Sequence, residues 1–159
     1  MALTAESITE TALDILSRYG LGDLSMRRLA RELEVQPSAL YWHVENKQEL
    51  LVLLATRMIA EVNRRCPPGT GARAAVLALR DVMLAYRDGA EIVLLGYSIK
   101  AAQTTPDALH PDLLGADRSA ALVSFTLGAV QIEQNRGLFE ITGNDDTDSF
   151  ALGVNALLA

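Results

Sequence analysis

The chain has 159 residues, enough for one domain or for a small domain joined to a modest second one. Its 14 Lys and Arg against 20 Asp and Glu give a formal net charge of −6. This balance argues against a surface that is positive all round and binds nucleic acid or membranes nonspecifically. Because 50% of the residues are hydrophobic, the chain can form a sizeable core and is not expected to be disordered.

Cysteine usage and the N-terminal residues argue against secretion. Cys66 is the single cysteine, so an internal disulfide is excluded. The first ten residues lack the charged and apolar segments of a signal peptide. The most apolar stretches, at 92–95 and 120–130, are far shorter than the roughly 20 residues that a membrane span needs. We therefore expect a cytoplasmic protein.

Three helices are predicted in the first 44 residues. The first follows Thr4 as N-cap, carries apolar residues at helical spacing and ends at Gly20. The second follows Ser25 as N-cap and spans about nine residues. The third begins with Pro37, whose fixed φ suits the first helical position, and continues to about Val44. Two short helices thus lie close together in the sequence.

A longer fourth helix leads out of this segment. Asn46 and Glu49 form the sequence pattern of a capping box, and apolar residues continue at helical spacing to about Arg65. The Cys-Pro-Pro-Gly-Thr-Gly run at 66–71 then breaks the helix. Charge also changes here, from 8 Lys/Arg and 9 Asp/Glu before this run to 6 and 11 from Cys66 onward. We place a boundary between two parts of the protein there.

The second part is also predicted to be helical. Helices at about 72–87 and 90–100 precede a proline-containing connector at 105–117. A strongly apolar helix follows at about 118–136, and an amphipathic helix at 148–158 comes last. Because the chain lacks the polar–apolar alternation of a half-buried strand, the predicted fold class is all-α.

The short second and third helices, joined by a tight turn, have the dimensions of a helix-turn-helix motif. Short helices also occur in ordinary bundles, so their length alone leaves both interpretations open. Residues 25–47 carry four fixed cations and three anions, a balance of +1 in a chain of −6. Tyr41 and Trp42 lie beside His43, where aromatic and polar groups can contact sugar or phosphate. The composition of this segment favours DNA binding.

A family resemblance strengthens this interpretation. Residues 24–51 closely resemble the DNA-binding segment of tetracycline-repressor-type (TetR family) transcriptional regulators, and the Leu-Tyr-Trp-His-Val-Glu-Asn-Lys run at 40–47 is the most specific part. The Tyr-Arg-Asp-Gly-Ala run at 86–90 and the Ser-Phe-Thr-Leu-Gly-Ala-Val run at 124–130 resemble core segments of the tetracycline repressors. Together these segments cover about a third of the chain; the rest is similar only in its helical layout.

The resemblance implies a domain organisation and a function. It places an N-terminal three-helix helix-turn-helix DNA-binding domain at 1–47, a connecting helix at 48–65, and a C-terminal helical effector-binding and dimerisation domain at 66–159. It implies a ligand-responsive repressor, not an enzyme, that binds a palindromic operator DNA as a homodimer and is released by a small organic effector. The alternative is a helical dimer that binds a small molecule or a protein and has lost operator binding.

By resemblance, the third helix is the recognition helix and its first residues face base edges. A Gln side chain can bond bidentately to adenine, and an Ala methyl can touch a thymine methyl. Arg at the start of the preceding helix can reach guanine or phosphate, while Tyr, His and Lys hold phosphates and fix the register. The residues expected to contact DNA are Arg27, Gln36, Pro37, Ser38, Ala39, Tyr41, Trp42, His43 and Lys47.

Several residues of this segment have a simpler explanation. Arg28 and Arg31 fit solvated charges on a helix surface better than base contacts. Trp42 could cover the edge of the small domain core instead of touching DNA, and Leu40 is expected in that core. Glu34 stands where the family commonly has Gly in the turn, which is unfavourable if the position needs a positive φ.

The resemblance also implies an effector pocket in the two helices after the break. Aligned on residues 86–90, Val93 replaces the His that coordinates drug-bound magnesium in tetracycline repressors, Ala75 replaces a drug-binding Asn, and Gly96 replaces a Thr. We therefore expect no metal, no other cofactor and no response to magnesium–tetracycline. The expected pocket is mostly apolar, although each lining residue also fits plain core. The residues are Leu79, Met83, Tyr86, Val93 and Tyr97.

The helix at 118–136 is suited to pairing two chains. Its apolar residues surround most of its circumference, and Gly128 and Ala129 permit close approach of another helix. The resemblance places this helix and the last one in a dimeric four-helix bundle, and a helix fully buried within one subunit is the alternative. The residues expected at the dimer interface are Leu122, Phe125, Gly128, Ala129, Ile132, Val154 and Leu158.

The remaining motifs do not indicate catalysis. Cys66 has no nearby His in the sequence, and the chain lacks a phosphate-binding Gly-rich loop and metal-ligand spacing. Asp145, Asp146 and Asp148 suit a solvated turn with a helix cap better than a calcium site. The stretch at 100–117 is shorter than the family leads one to expect.

Overall fold

A computed structural model describes residues 3–141 and 146–159, and every regular element in these ranges is an α-helix or a short 3₁₀ turn. The predicted all-α class is therefore confirmed. Asp145 and most of the predicted polar loop lie outside the described residues. The helices are α1 (Ala5–Tyr19), α2 (Met26–Glu32), α3 (Pro37–Tyr41), α4 (Lys47–Arg65), α5 (Ala72–Ala85), α6 (Gly89–Lys100), α7 (Pro111–Leu114), α8 (Ala116–Leu138) and α9 (Asp146–Leu158).

The predicted N-caps of the first helices are present. Thr4 and Ser7 form a reciprocal capping box at the start of α1. The Ser25 hydroxyl accepts a hydrogen bond from the Arg28 N–H at 3.2 Å, and Asn46 Oδ1 accepts one from the Glu49 N–H at 2.9 Å. These bonds satisfy N–H groups that have no partner inside the helix, which explains why the helices begin at these residues.

The capping box predicted for α4 is only half formed. The Glu49 carboxylate accepts a hydrogen bond from Lys100 Nζ at 3.0 Å instead of turning back to its own helix terminus. This ion pair joins the beginning of α4 to the end of α6. The sequence pattern located the helix start correctly but missed the long-range partner.

The third helix is shorter than predicted. It ends at Tyr41, and the N–H groups of His43 and Val44 both donate to the Leu40 carbonyl at 3.0 Å. The backbone therefore tightens into a turn before Asn46 caps the next helix. Buried Leu40 and Val44 hold this turn against the core, which confirms the expected core position of Leu40.

Helix α4 lies at the centre of the molecule, packed against α1, α5 and α6. Leu50, Leu54, Met58 and Val62, spaced four residues apart, are fully buried along it. They belong to one hydrophobic cluster that extends from α1 to α9. The predicted boundary after Arg65 is a chain turn, and it does not divide the core into two.

The approach of α4 to α6 is unusually close at one point. A Cβ atom built on Gly96 would lie 2.3 Å from the Ala55 Cβ, which no real pair of atoms tolerates. Gly96 therefore allows the two helices to touch directly, and a Thr at this position would not fit this packing. Because Gly96 and Ala55 are both small, the backbones of α4 and α6 approach closely at this point.

The connector between α6 and α8 is compact. It contains 3₁₀ turns at Ala101–Gln103 and Asp107–Leu109 followed by α7. The buried Ser119 hydroxyl donates to the Leu109 carbonyl at 2.6 Å and fixes the connector to α8. Across the residues that the structure describes, none of the helices is both long and apolar enough to cross a membrane.

Cys66 ends α4 and is buried, only 7% exposed. Its N–H donates to the Val62 carbonyl at 2.9 Å. Desolvation raises the pKa of the Cys66 thiol, so the reactive thiolate is disfavoured near neutral pH.

The turn between α2 and α3 is a Schellman motif. The Val35 N–H donates to the Ala30 carbonyl at 3.0 Å, and the Glu34 N–H donates to the Arg31 carbonyl at 3.1 Å. Glu34 occupies the left-handed position of this motif with φ +56°. A side chain with a Cβ is strained there, which confirms the concern raised by the absence of Gly.

Replacing Glu34 with Gly should stabilise the protein. Removing the left-handed strain contributes about 1–2 kcal/mol, and the greater freedom of Gly in the unfolded chain offsets about 0.4–1 kcal/mol of it. We expect Glu34→Gly to raise the Tm by a few degrees in a thermal unfolding experiment. Glu34→Ala is the matched control, because it removes the same charge but retains the Cβ. An equal rise in both variants would contradict the backbone explanation.

Candidate nucleic-acid interface

The start of α3 presents a polar surface on a rigid support. Gln36, Pro37 and Ser38 are exposed, and Ala39 is half-buried. Pro37 is the first helical residue, and Gln36 precedes it with extended backbone angles. Because Leu40 is buried directly behind them, these side chains are held outward as a group. A short helix whose first side chains are exposed is the arrangement in which a recognition helix reads base edges.

A second set of exposed side chains flanks the first. Tyr41 is 48% exposed and Trp42 is 90% exposed, and His43 is also exposed. Trp42 therefore does not cover the domain core, which removes the alternative considered for it. Lys47, the first residue of α4, and Arg27 in the first turn of α2 are exposed as well.

The arginines of α2 differ in environment. Arg27 and Arg31 are exposed. Arg28 instead lies with its guanidinium carbon 3.8 Å from the centre of the Tyr19 ring, and its Nη1 donates to Asp23 Oδ1 at 2.9 Å. The prediction of a solvated surface charge is therefore wrong for Arg28, because the side chain is packed between α1 and the following turn. Arg28 is a structural residue of the small domain.

Residues 1–47, the predicted DNA-binding domain and from here on called the DNA-binding segment, are hydrogen-bonded to the turn between α5 and α6. Asp88, in the turn between α5 and α6, accepts a hydrogen bond from the Leu21 N–H at 2.7 Å. Asp88 itself has φ +56°, a left-handed conformation that is uncommon for a residue with a Cβ. Arg87 donates to the Arg18 carbonyl at 3.5 Å in the same region. The turn at 86–89 thus contacts the end of α1, beside the helix-turn-helix.

The side chains predicted to line an effector pocket belong to the core in this conformation. Leu79, Met83 and Val93 are no more than 1% exposed. Tyr86 and Tyr97 pack partly buried against the same cluster. The Tyr86 hydroxyl donates to Glu61 Oε2 at 3.1 Å, and burial together with this carboxylate raises the pKa of Tyr86. A ligand at these positions would have to displace packed side chains, so the pocket stays a prediction.

The side chains predicted for dimerisation fall into two groups. Leu122 and Val154 are fully buried within the subunit, so the prediction is corrected for these two: they stabilise the packing of α8 and α9. The other five are exposed or partly exposed, with Ile132 at 53%. They are Phe125, Gly128, Ala129, Ile132 and Leu158.

Phe125 and Phe150 determine how α8 and α9 pack. Their rings stack with centroids 5.6 Å apart. A Cβ on Gly153 would lie 2.1 Å from the Phe125 ring, so Gly153 is needed for this approach. A groove of about 280 Å³ opens between the helices, lined by Phe125, Ala129, Ile132, Glu133, Arg136, Ser149 and Phe150.

The fold and the exposed side chains of α3 define a helix-turn-helix DNA-binding protein. The family described as "Bacterial regulatory proteins, tetR family" matches residues 8–54. The class A tetracycline repressor from transposon 1721 of Escherichia coli is 37% identical over 146 residues, covering 83% of this chain and 68% of that protein. The chain belongs to the TetR family of bacterial transcriptional regulators.

Solved structures agree with this assignment. BioQ from Mycobacterium smegmatis matches with a TM-score of 0.82 and 29% identity, over 98% of this chain and 96% of that one. BioQ bound to its natural double-stranded DNA operator matches with a TM-score of 0.79 over 99% of both chains, again at 29% identity. ActR from Streptomyces coelicolor, in complex with (S)-DNPA, matches with a TM-score of 0.77 and 29% identity, over 99% and 96%.

Several contacts at this interface left no local signal in the sequence. Arg28 packs on the ring of Tyr19, which lies 9 residues earlier in the chain. Asp88 accepts its hydrogen bond from Leu21, which lies 67 residues earlier. The Asp-Gly pair at 88–89 is a turn signal, but a turn signal does not identify the partner of the Asp carboxylate. Sequence patterns predicted that Gln36, Pro37 and Ser38 are exposed, and missed the long-range contacts of Arg28 and Asp88.

Arg28→Ala should destabilise the protein more than Arg31→Ala does. Loss of the Tyr19 stacking and the partly buried ion pair is expected to lower the free energy of unfolding by about 1–2 kcal/mol. Arg31→Ala, at an exposed position of the same helix, is expected to change it by less than about 0.5 kcal/mol. Urea unfolding of both variants measures the difference. Equal effects would show that the Arg28 contacts do not stabilise the fold.

Proposed function

We propose that this regulator is a repressor that binds a palindromic operator as a homodimer and is released by a small organic effector. The observation that carries the proposal is the joint exposure of Gln36, Pro37 and Ser38 at the start of α3, backed by buried Leu40. These side chains have the chemistry for base edges, since Gln can pair with adenine and Ser with either a donor or an acceptor.

We assign the flanking side chains to the DNA backbone. Lys47 provides a fixed positive charge, and Tyr41 and His43 provide polar groups on an exposed surface. Contacts of this kind fix the register of the protein on the duplex without reading sequence. Arg27 is assigned to a guanine edge or a phosphate, and the exposed Trp42 ring to a sugar or phosphate. The structure of BioQ with its double-stranded DNA operator supports operator binding as a property of a similar protein.

A single recognition helix reads few base pairs, so we propose that two copies act together. Two-fold symmetry would place the recognition helices about 34–36 Å apart, in adjacent major grooves. The exposed part of α8, which carries Gly128 and Ile132, and the groove beside α9 supply the apolar surface for this pairing.

We place the effector among Leu79, Met83, Tyr86, Val93 and Tyr97, in a conformation where these core side chains separate. Binding there would move the turn at 86–89 and, through Asp88, the DNA-binding segment at Leu21. A tenfold loss of operator affinity needs a coupling free energy of about 1.4 kcal/mol, comparable to one or two hydrogen bonds. The ActR complex with (S)-DNPA supports ligand binding as a property of a similar protein.

Selection of bound sequences from random duplex DNA at about 0.15 M salt tests the proposal. Enrichment of a palindrome would support a dimeric, sequence-specific DNA-binding protein. If well-folded dimer enriches no sequence, operator binding is refuted and the chain is a helical module for another ligand.

Two substitutions should separate phosphate contact from base contact. Lys47→Ala is expected to weaken binding to all DNA sequences similarly and to reduce the slope of log affinity against log salt by about 1. Gln36→Ala is expected to change the preferred base at one position of each half-site and to leave the salt slope intact. Salt titrations and repeated sequence selection measure the two effects. Unchanged DNA binding in both variants would contradict the assignment of α3.

Ile132→Asp should separate the subunits. The change places a carboxylate at the centre of the proposed apolar interface, where it would lose its hydration without a partner. We expect a mainly monomeric protein at micromolar concentration, measured by light scattering after size-exclusion chromatography. Leu113→Asp, at a 70% exposed position of α7, is the control and should leave the dimer intact. A dimeric Ile132→Asp protein would place the interface elsewhere.

A further inference from the structure

Helix α6 begins without a cap from its own N-terminal residue. Asp88 is at the N-cap position, and its side chain makes no capping hydrogen bond. The carboxylate instead accepts from the Leu21 N–H, 67 residues earlier in the chain. Asp is one of the preferred N-cap residues because its carboxylate satisfies free N–H groups of the first turn. The long-range bond therefore removes from α6 the group that would normally cap it.

Gln134 on α8 takes over this role. Its Oε1 accepts a hydrogen bond from the Ala90 N–H at 2.9 Å, in the first turn of α6. Its Nε2 donates to the carbonyls of Met83 at 3.1 Å and Tyr86 at 3.0 Å, at the end of α5. Backbone carbonyls can only accept and a backbone N–H can only donate. The three contacts therefore fix the positions of Oε1 and Nε2 in the Gln134 side-chain amide. One side chain satisfies groups at both helix ends.

The turn that Gln134 holds has little freedom to rearrange. A Cβ atom on Gly89 would lie 2.2 Å from the Met83 carbonyl oxygen, so the backbone segments are already in close contact. Asp88 is held in a left-handed conformation immediately before it. Because the turn cannot easily change its conformation, a movement of α8 relative to it would alter the Gln134 hydrogen bonds.

We propose that Gln134 is a positioning residue for DNA binding. By capping α6 from α8, it leaves the Asp88 carboxylate available to hold the Leu21 N–H, and so connects α8 to the DNA-binding segment. Without the Gln134 amide, the free N–H groups of α6 would draw Asp88 back to its own helix and release Leu21. The effect on operator affinity rests on the proposed function. The switch of the Asp88 carboxylate from the Leu21 N–H to the N–H groups of α6 does not depend on that function.

Amide hydrogen–deuterium exchange at Leu21 in the DNA-free protein tests whether the Leu21 N–H keeps its hydrogen bond to Asp88. We expect Gln134→Leu to speed this exchange at least tenfold relative to the Glu49 amide, which is hydrogen-bonded in the same segment to Asn46. The reference amide separates local release from a general loss of stability. Asn135→Ala, one residue further along α8 and exposed, is the matched control and should leave the ratio unchanged.

A second variant protects the test if Gln134→Leu does not fold. Gln134→Met retains the length of the side chain but removes both the amide acceptor for the Ala90 N–H and the donor to the two carbonyls, so it should also speed Leu21 exchange. An unchanged exchange ratio in the folded Gln134 variants, or an equal increase in Asn135→Ala, would overturn the proposal.

Operator affinity then measures the consequence for DNA. Gln134→Leu and Asp88→Gly should each weaken binding about tenfold, and the double variant should be no weaker than either single variant, because both act through Leu21. A double variant about 100-fold weaker would show independent effects and would overturn the connection. If no variant and no wild-type protein binds DNA specifically, the proposed function fails while the exchange result still decides the role of Gln134.

Discussion

The burial of α4 on several sides at once is the constraint on which the rest of the structure depends. Its first residue, Lys47, is exposed, and the following turns contribute to the core shared with α1, α5 and α6. At the point where Ala55 meets Gly96, no larger side chain separates α4 from α6. A displacement of α6 would therefore be transmitted to α4 through packed atoms.

The helices and their starts could be predicted because their causes are local. Thr4, Ser25 and Asn46 each accept a hydrogen bond from the N–H three residues further on, and the apolar spacing of about 3.6 residues identifies the buried stripe that follows. The end of α3 was missed because it depends on how Leu40 and Val44 pack against other helices. The partner of Glu49 was missed for the same reason, since Lys100 is 51 residues away.

The candidate site shows the same division. Polar side chains at the start of a short helix are visible in the sequence, and the structure finds Gln36, Pro37 and Ser38 exposed there. Apolar residues on α8 gave no means of separating core from interface, because both environments select the same side chains. Only the folded chain shows that Leu122 faces inward and Ile132 outward. The role of Gln134 was equally invisible, since an isolated Gln on a helix resembles any solvated residue.

The burial of Cys66 makes this protein suitable for site-directed spin labelling. The thiol is enclosed at the end of α4 and its raised pKa keeps it protonated, so a thiol-specific nitroxide reagent should leave it unmodified. A cysteine introduced at exposed Ser38 would then carry the only label of each subunit. In a two-fold dimer, pulsed dipolar spectroscopy between the two nitroxides would report the separation of the recognition helices directly. The native sequence thus needs no prior removal of its own cysteine.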